Sequence, residues 1–209
     1  MFPVLSRRAC SLDRMRAEGR RYGKLLEPRR LATSLTLIFS LLLGFNASVA
    51  ADTVGALYDD FTGSTYTLRD GGMSPNGLWL NVWNGFGSSG VEYVNGNYVF
   101  FEEPRAPRGG NSHSVLVVGT QKFQDHEISL DVKTVKQLRT RQNPRPWEVA
   151  WLLFRYTDTS HYYYFILKTN GVELGKKDGS SAQVFLYTAN QPTLQIGSWS
   201  HWHIRVVGN

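Results

Sequence analysis

Short apolar runs separated by turn-forming residues dominate the second half of the chain. Four such runs cover residues 149–156, 161–168, 172–177 and 183–187. The dipeptide Asn170-Gly171 between two of them is typical of a two-residue hairpin turn of type I′. The pattern therefore predicts an antiparallel meander of four strands. A turn at Asn170-Gly171 would place Lys168 opposite Glu173.

Alternation of apolar and polar residues predicts further strands on both sides of this meander. Two strands show it most clearly, with apolar residues at Ile128, Leu130 and Val132 and at Trp202, Ile204 and Val206. Shorter apolar runs over residues 78–83, 98–101 and 114–119 lie between glycine-rich turn signals. Residues 51–209 show no helical periodicity. We therefore predict an all-β domain there, an antiparallel sandwich of two sheets.

The N-terminal segment differs from the rest of the chain. Residues 1–30 are rich in arginine, residues 31–45 are apolar and uncharged, and Ser48-Val49-Ala50 supplies the small residues of a cleavage site. We predict a signal peptide over residues 1–50, with a long basic region, and a secreted protein, extracellular or periplasmic. The alternative is an uncleaved leader that anchors the protein in a membrane, which is the only membrane contact that we expect.

The formal net charge of +6 originates in this leader. Nine of the 23 basic residues and three of the 17 acidic residues lie within residues 1–50, so residues 51–209 are neutral overall. The positive charge is therefore no evidence for nucleic-acid binding, and we exclude that function. The single cysteine, Cys10, also lies in the leader. A domain over residues 51–209 must therefore fold without a disulfide bond, and its length suffices for one hydrophobic core.

Four motifs together resemble those of the concanavalin A-like lectin/glucanase superfamily. They are D-D-F at residues 59–61, F-x-D-x-E-I-x-L-D-V at 123–132, W-x-x-A-W-L-L-F-R-Y at 147–156 and Y-Y-Y-F-I-L-K-x-N-G at 162–171. Within the superfamily, the chain is most similar to laminin G-like domains and to bacterial 3-keto-disaccharide hydrolase (family 16 glycoside hydrolase-like) domains. The resemblance implies a jelly roll that meets glycans on its concave face or edge loops. It also implies further strands, so we expect a chain truncated at its C-terminus.

Two functions are compatible with this resemblance. The first is a secreted jelly-roll module that binds a glycan or a cell-surface partner without catalysis. The alternative is a glycoside hydrolase acting on a polysaccharide or oligosaccharide. Glu127 and Asp131 are the catalytic candidates, because retaining glucanases carry two carboxylates four residues apart on one strand face. The solvated face of an amphipathic strand produces the same pattern, and we favour that interpretation.

Aromatic residues beside loops or polar strand faces are the candidate sugar-binding residues, because aromatic faces stack on the apolar faces of sugar rings. Charged residues around them could hydrogen-bond the sugar hydroxyls. These candidates are Trp83, Trp147, Tyr162, Tyr164, Arg139, Glu148 and Lys168. Arg139 lies in the predicted surface loop Gln137–Pro146, and Glu102–Ser112 is the other predicted loop. Trp151 and Leu153 are expected to pack in the core.

Two pairs of residues are candidate metal ligands. Asp59 and Asp60 could bind calcium, a hard cation that prefers carboxylate and carbonyl oxygens. Calcium sites are frequent in the superfamily that the chain resembles. His201 and His203 share one face of a predicted strand and could bind zinc. No third zinc ligand can be named, and histidines on an exposed strand face are common.

Overall fold

The structure is a computed structural model that describes residues 55–108, 112–179 and 181–208, together with the backbone of Val4–Ala9. The described residues form strands and turns but no helix, and hence no helix that could span a membrane. The strands are β1 (Val4–Ala9), β2 (Tyr66–Leu68), β3 (Trp79–Trp83), β4 (Ser88–Val94), β5 (Asn97–Glu103), β6 (Leu116–Gly119), β7 (His126–Thr134), β8 (Trp151–Asp158), β9 (His161–Lys168), β10 (Gly171–Asp178), β11 (Val184–Ala189) and β12 (Ser200–Val206). The prediction of an all-β chain is confirmed for this part of the sequence.

The strands pair in three antiparallel sheets. The largest has the order β12-β7-β1-β5-β4-β2, the second has the order β11-β10-β9-β8, and β3 pairs with β6. The second sheet is the meander that the apolar runs predict, with each strand beside its neighbour in sequence. Its turns are short enough to keep consecutive strands antiparallel.

Apolar side chains pack between the six-stranded sheet and the other two sheets, which gives a sandwich-like arrangement of two layers. Phe61, Val91 and Phe100 form one core cluster, against which Trp79 of β3 packs. A second cluster joins β7 and β12 to the meander, and its Trp202 ring meets the Phe165 ring edge-to-face at 5.2 Å between centroids. Trp202 and Val206 are buried while the residues between them are more exposed, as the alternation in β12 predicts.

The first strand lies in the middle of the largest sheet. Ser6 lies opposite Phe100 of β5 and opposite Val132 of β7. Removal of residues 1–50 would therefore take away an inner strand and separate β5 from β7. Ala50 lies outside the described residues, so the signal peptide and its cleavage stay predictions.

The predicted register of the β9–β10 hairpin is wrong. Lys168 lies opposite Gly171, and Glu173 lies opposite Ile166. Gly171 belongs to β10, where an added Cβ atom would lie 1.9 Å from the carbonyl oxygen of Ala189. The glycine is thus required by the close approach of β11 and not by the turn.

The type I′ turn is found elsewhere in the chain. Asn95 and Gly96 have φ angles of 51° and 82° and connect β4 to β5. Positive φ at both central residues is the requirement of that turn type, and Asn-Gly is its preferred sequence. An Asn-Gly dipeptide alone therefore does not locate this turn in the chain.

An apolar cleft of 1080 Å³ lies between the six-stranded sheet and strands β6 and β8. Its wall includes Phe100, Leu130 and Leu152, and Glu102 of β5 also lines it. Desolvation by burial raises the pKa of the Glu102 carboxyl from 4.5 to about 8. The native protein therefore holds a proton on Glu102 at neutral pH.

We expect the protein to lose stability as the pH rises from 4.5 to about 8. Between these two pH values the native state keeps the Glu102 proton and the unfolded state releases it. The stabilisation from this proton is therefore complete below the pKa of the unfolded state and is lost as the pH rises through the pKa of the native state. Glu102→Gln should remove this dependence, because glutamine is neutral throughout. Urea unfolding across the range measures it. The exposed neighbour Glu103 supplies the control Glu103→Gln, which should keep the dependence. Equal pH slopes for wild type and Glu102→Gln would contradict the assignment.

Candidate ligand-binding groove

Two loops cover the face of the meander that points away from the apolar core. The first comprises residues 104–108 and 112–115, and the second comprises residues 135–150. A bridge between Arg108 and Thr140 joins them, and the backbone N–H of Thr140 donates to the Pro107 carbonyl at 3.2 Å. Tyr164 and Ile166 point toward these loops and are fully buried. This face of the sheet is therefore partly enclosed.

Arg139 forms a buried ion pair within the second loop and a hydrogen bond to Ser112 of the first loop. Arg139 Nε donates to Glu148 Oε1 at 2.7 Å, and Arg139 Nη2 also contacts that oxygen and donates to Ser112 Oγ at 3.0 Å. The other Glu148 oxygen accepts from the backbone N–H of Arg145 at 3.0 Å. The Arg139 and Glu148 side chains are 2% and 0% exposed. The structure thus places these two sugar-binding candidates inside the loop wall.

A groove of 490 Å³ lies between the loops and the meander. Its size falls within the range of about 300–1,000 Å³ that is usual for small-molecule sites. Five aromatic side chains line it, namely Trp147, Trp151, Tyr156, Tyr162 and Phe185. Its other polar groups belong to Ser112, His113, Ser114, Thr159 and Gln183. Aromatic faces beside hydroxyl and amide groups form a surface suited to an amphipathic, hydroxyl-bearing ligand.

The floor of the groove carries a carboxylate with two hydrogen-bond donors. Tyr164 Oη donates to Glu173 Oε1 at 2.9 Å, and Lys168 Nζ donates to Glu173 Oε2 at 2.7 Å. Burial, followed by the hydrogen bond to Glu173, raises the pKa of Tyr164 above its usual range, so its hydroxyl stays protonated. Gly175 of β10 makes room for this ring, since a Cβ atom there would lie 2.3 Å from Tyr164 Oη.

Ring contacts connect the aromatic residues along the groove. Trp151 lies over Tyr164 with centroids 4.8 Å apart, and Tyr156 stacks beside Tyr162 at 6.5 Å. The Tyr162 hydroxyl accepts a hydrogen bond from Gln183 Nε2 at 3.2 Å. Trp147 remains 38% exposed and offers an open ring face. These contacts fix the orientation of the rings that a ligand would meet.

The structure brings some sequence candidates to the groove and places others behind it. Trp147 and Tyr162 line it, whereas Tyr164 is buried beneath Trp151. Trp83 lies beyond the rim, in edge contact with Phe86 at 4.9 Å, and Phe86 in turn contacts His113 at 5.3 Å. Trp83 therefore extends the aromatic surface outward from the groove.

The sequence analysis does not select most of the lining residues, among them Trp151, Tyr156, Glu173 and Phe185. One signal could have found Trp151, which lies opposite Ile166 of β9 and so on the same sheet face as Tyr162 and Tyr164. Phe185 could not be placed in this way. The register of β11 shifts at a bulge between Leu174 and Gly175, and such a shift reverses the faces of the residues beyond it.

The catalytic candidates Glu127 and Asp131 lie on the solvent-facing side of the six-stranded sheet. His201 Nδ1 lies 2.9 Å from Asp131 Oδ1, and Arg205 Nε lies 3.4 Å from Glu127 Oε1. Ser129 Oγ lies 3.2 Å from His201 Nε2, which completes a Ser-His-Asp row. Glu127 also lines the apolar cleft, whereas Ser129, Asp131 and His201 line neither the cleft nor the groove. Catalysis requires a concave site that holds a substrate, and the Ser-His-Asp row does not lie in one of these two. Its contacts join β7 to β12.

The calcium candidates have other hydrogen-bond partners. Asp59 Oδ2 accepts from Asn76 Nδ2 at 2.9 Å and from Trp79 Nε1 at 2.7 Å. Its Oδ1 accepts from the backbone N–H of Phe61 at 2.8 Å. Asp60 Oδ1 accepts from the Thr62 hydroxyl at 2.7 Å. N–H donors satisfy a carboxylate without a cation, so the Asp59 contacts do not favour calcium.

Metal binding stays a prediction for both pairs of candidate ligands. Over the described residues, no cluster of three or more His, Cys, Asp or Glu side chains has an arrangement that could hold a metal ion. His201 and His203 each face a carboxylate of β7, at 2.9 Å and 3.5 Å. The contacts seen at these positions are those between neighbouring strands.

Comparison with known proteins found no matching family model, no matching curated protein and no matching solved structure. The resemblance to the concanavalin A-like superfamily therefore stays a prediction from motifs. The function must be argued from the groove itself.

Proposed function

We propose that the protein is a carbohydrate-binding module that holds a glycan in the groove. One observation carries this proposal: five aromatic side chains and five hydroxyl, amide or imidazole side chains converge on one concave surface of 490 Å³. Aromatic rings contribute apolar contact with sugar faces, and hydroxyl and amide groups hydrogen-bond the sugar hydroxyls. The ring contacts described above hold part of this surface in place before the ligand binds, which reduces the entropic cost of binding.

Binding without cleavage suits the groove better than hydrolysis. A typical glycosidase places two carboxyl groups on either side of the scissile bond. Among the described lining residues of the groove, Glu173 is the only Asp or Glu, and both of its oxygens already accept hydrogen bonds. A glycoside hydrolase therefore remains the alternative hypothesis.

We further propose a concanavalin A-like jelly roll, with the groove on its concave face, and a secreted location. The two antiparallel layers support this fold, and the composition of residues 1–50 supports secretion. A glycan in an extracellular or periplasmic compartment would be within reach of such a module.

Tyr162→Ala and Trp147→Ala are each expected to weaken glycan binding by about 1–3 kcal/mol, the scale of losing an aromatic anchor. A polysaccharide array identifies the ligand, and titration calorimetry then measures the loss. Tyr93→Ala is the matched control, because Tyr93 is 58% exposed on β4 and does not line the groove. Equal losses of glycan affinity in all three variants would argue against the groove as the binding site. Release of reducing sugar that disappears in Glu173→Gln would favour the hydrolase.

A further inference from the structure

Charge is scarce on the surface of the groove. Among its described lining residues, Glu173 is the only Asp, Glu, Lys or Arg. Glu173 is 8% exposed, and the Lys168 ammonium lies 2.7 Å from its Oε2. The groove therefore presents an ion pair at its floor and no further Asp, Glu, Lys or Arg along the described lining.

The charges behind the loop wall are also compensated. Arg139 and Glu148 pair with each other at full burial. His113, at the rim, directs Nδ1 to the Arg105 carbonyl oxygen at 2.8 Å. A ligand in the groove would thus meet no described Lys or Arg on its lining that could pair with an acidic group.

This arrangement penalises charged sugars of either sign. A uronate or sulfate would lose water beside the Glu173 carboxylate without gaining a Lys or Arg partner from the described lining. An amino sugar would approach a carboxylate whose oxygens already accept from Tyr164 and Lys168. Its ammonium would also lie near that of Lys168. An uncharged sugar incurs neither of these penalties, and it can still stack on the aromatic rings of the groove.

We propose that the Lys168–Glu173 ion pair makes the groove select uncharged glycans, and that Lys168 is the residue that excludes cationic sugars. This inference rests on the proposed function, because it names the ligand class of the same groove. Lys168 acts through Glu173: it occupies the one carboxylate that could otherwise bind an ammonium group.

The first experiment measures the charge preference of the unaltered protein. The probes are neutral and acidic polysaccharides on one array, followed by β-1,4-linked hexasaccharides of N-acetylglucosamine and of glucosamine in titration calorimetry. We expect binding of neutral glycans only, with affinity changing less than about twofold when salt rises about tenfold. An acidic or amino glycan that binds as tightly as its neutral counterpart would overturn the inference and leave glycan binding intact. Absence of binding to every glycan would overturn the proposed function as well.

The second experiment tests whether removal of Lys168 lets the groove accept a cationic sugar. Lys168→Met leaves Glu173 without its cation, so affinity for the glucosamine hexasaccharide should rise by about tenfold, as one new charge-assisted hydrogen bond allows. The double variant Lys168→Met/Glu173→Gln should lose that gain. Lys176→Met is the matched control, since Lys176 pairs with Asp178 at 3.2 Å and does not contact Glu173. If Lys168→Met shows no gain while folded, Lys168 does not set the selectivity. If Lys168→Met does not fold, the charge preference measured for the unaltered protein decides whether the inference holds.

Discussion

Arg139→Met is expected to lower the free energy of unfolding by about 3–5 kcal/mol, the cost of breaking a buried ion pair by removing one partner. The variant leaves Glu148 charged and fully buried, with only the Arg145 N–H and Ser112 as remaining partners. Urea unfolding followed by tryptophan fluorescence measures the loss. Because Arg139 joins the two loops that wall the groove, glycan binding should weaken in the same variant.

The double variant Arg139→Met/Glu148→Leu should recover most of this stability, because apolar residues often replace a buried ion pair without loss. The matched control is Lys136→Met, which removes an exposed pair with Glu103 at 3.9 Å. Such pairs contribute about 0–1 kcal/mol. If Arg139→Met lowers the free energy of unfolding no more than Lys136→Met does, the contacts of Arg139 with Glu148 and Ser112 do not stabilise the loop wall.

Ser6→Pro is expected to destabilise the protein strongly, by about 3 kcal/mol or more. Ser6 pairs with β5 on one side and with β7 on the other. Proline lacks the N–H that an inner strand needs, and prolines are found in sheets only at edges, strand starts or bulges. Thermal unfolding of the complete chain, monitored by circular dichroism, measures the effect.

Ser6→Ala is the control, because it keeps the backbone donor and should melt close to wild type. Expression with export also tests the predicted signal peptide, which would remove residue 6 along with the rest of residues 1–50. If Ser6→Pro and Ser6→Ala melt alike in the complete chain, β1 is not part of the sheet. If the two variants differ in thermal stability only before export, the leader forms β1 until it is cleaved.

Strands with regular alternation could be predicted from the sequence. The predicted run at residues 161–168 has the bounds of β9, and the inner residues of β12 are those that the alternation indicates. β4 was not predicted, because its first residues, Ser88-Ser89-Gly90, are typical of a loop. The register of the β9–β10 hairpin depends on how closely β11 approaches Gly171. That contact involves a third strand, β11, so the turn rules for the β9–β10 hairpin could not indicate it.

The candidate groove could be predicted only in part. Trp147 and Tyr162 were indicated because aromatic residues beside loops are common ligand contacts. The loop around Arg139 has a polar, proline-containing sequence that is typical of an exposed surface. Its burial is possible because Glu148 compensates the guanidinium charge and Ser112, from the other loop, accepts a hydrogen bond. For Glu173 the sequence predicts only a position opposite Lys168. It does not predict a place in the groove, because a strand sequence does not show which face of the strand lies under a loop.

The position of β1 has a consequence for the order in which the chain folds. Val4 lies opposite Thr134, so β1 pairs with a strand that lies 130 residues later in the sequence. Contacts between residues so far apart in sequence form slowly, because a long loop must close, at a cost in entropy, before the strand pairing can stabilise the sheet. Until then β5 and β7 keep open edges while the hairpins β4–β5 and β9–β10 can already form from local contacts. The largest sheet should therefore be completed last, when β1 enters between β5 and β7.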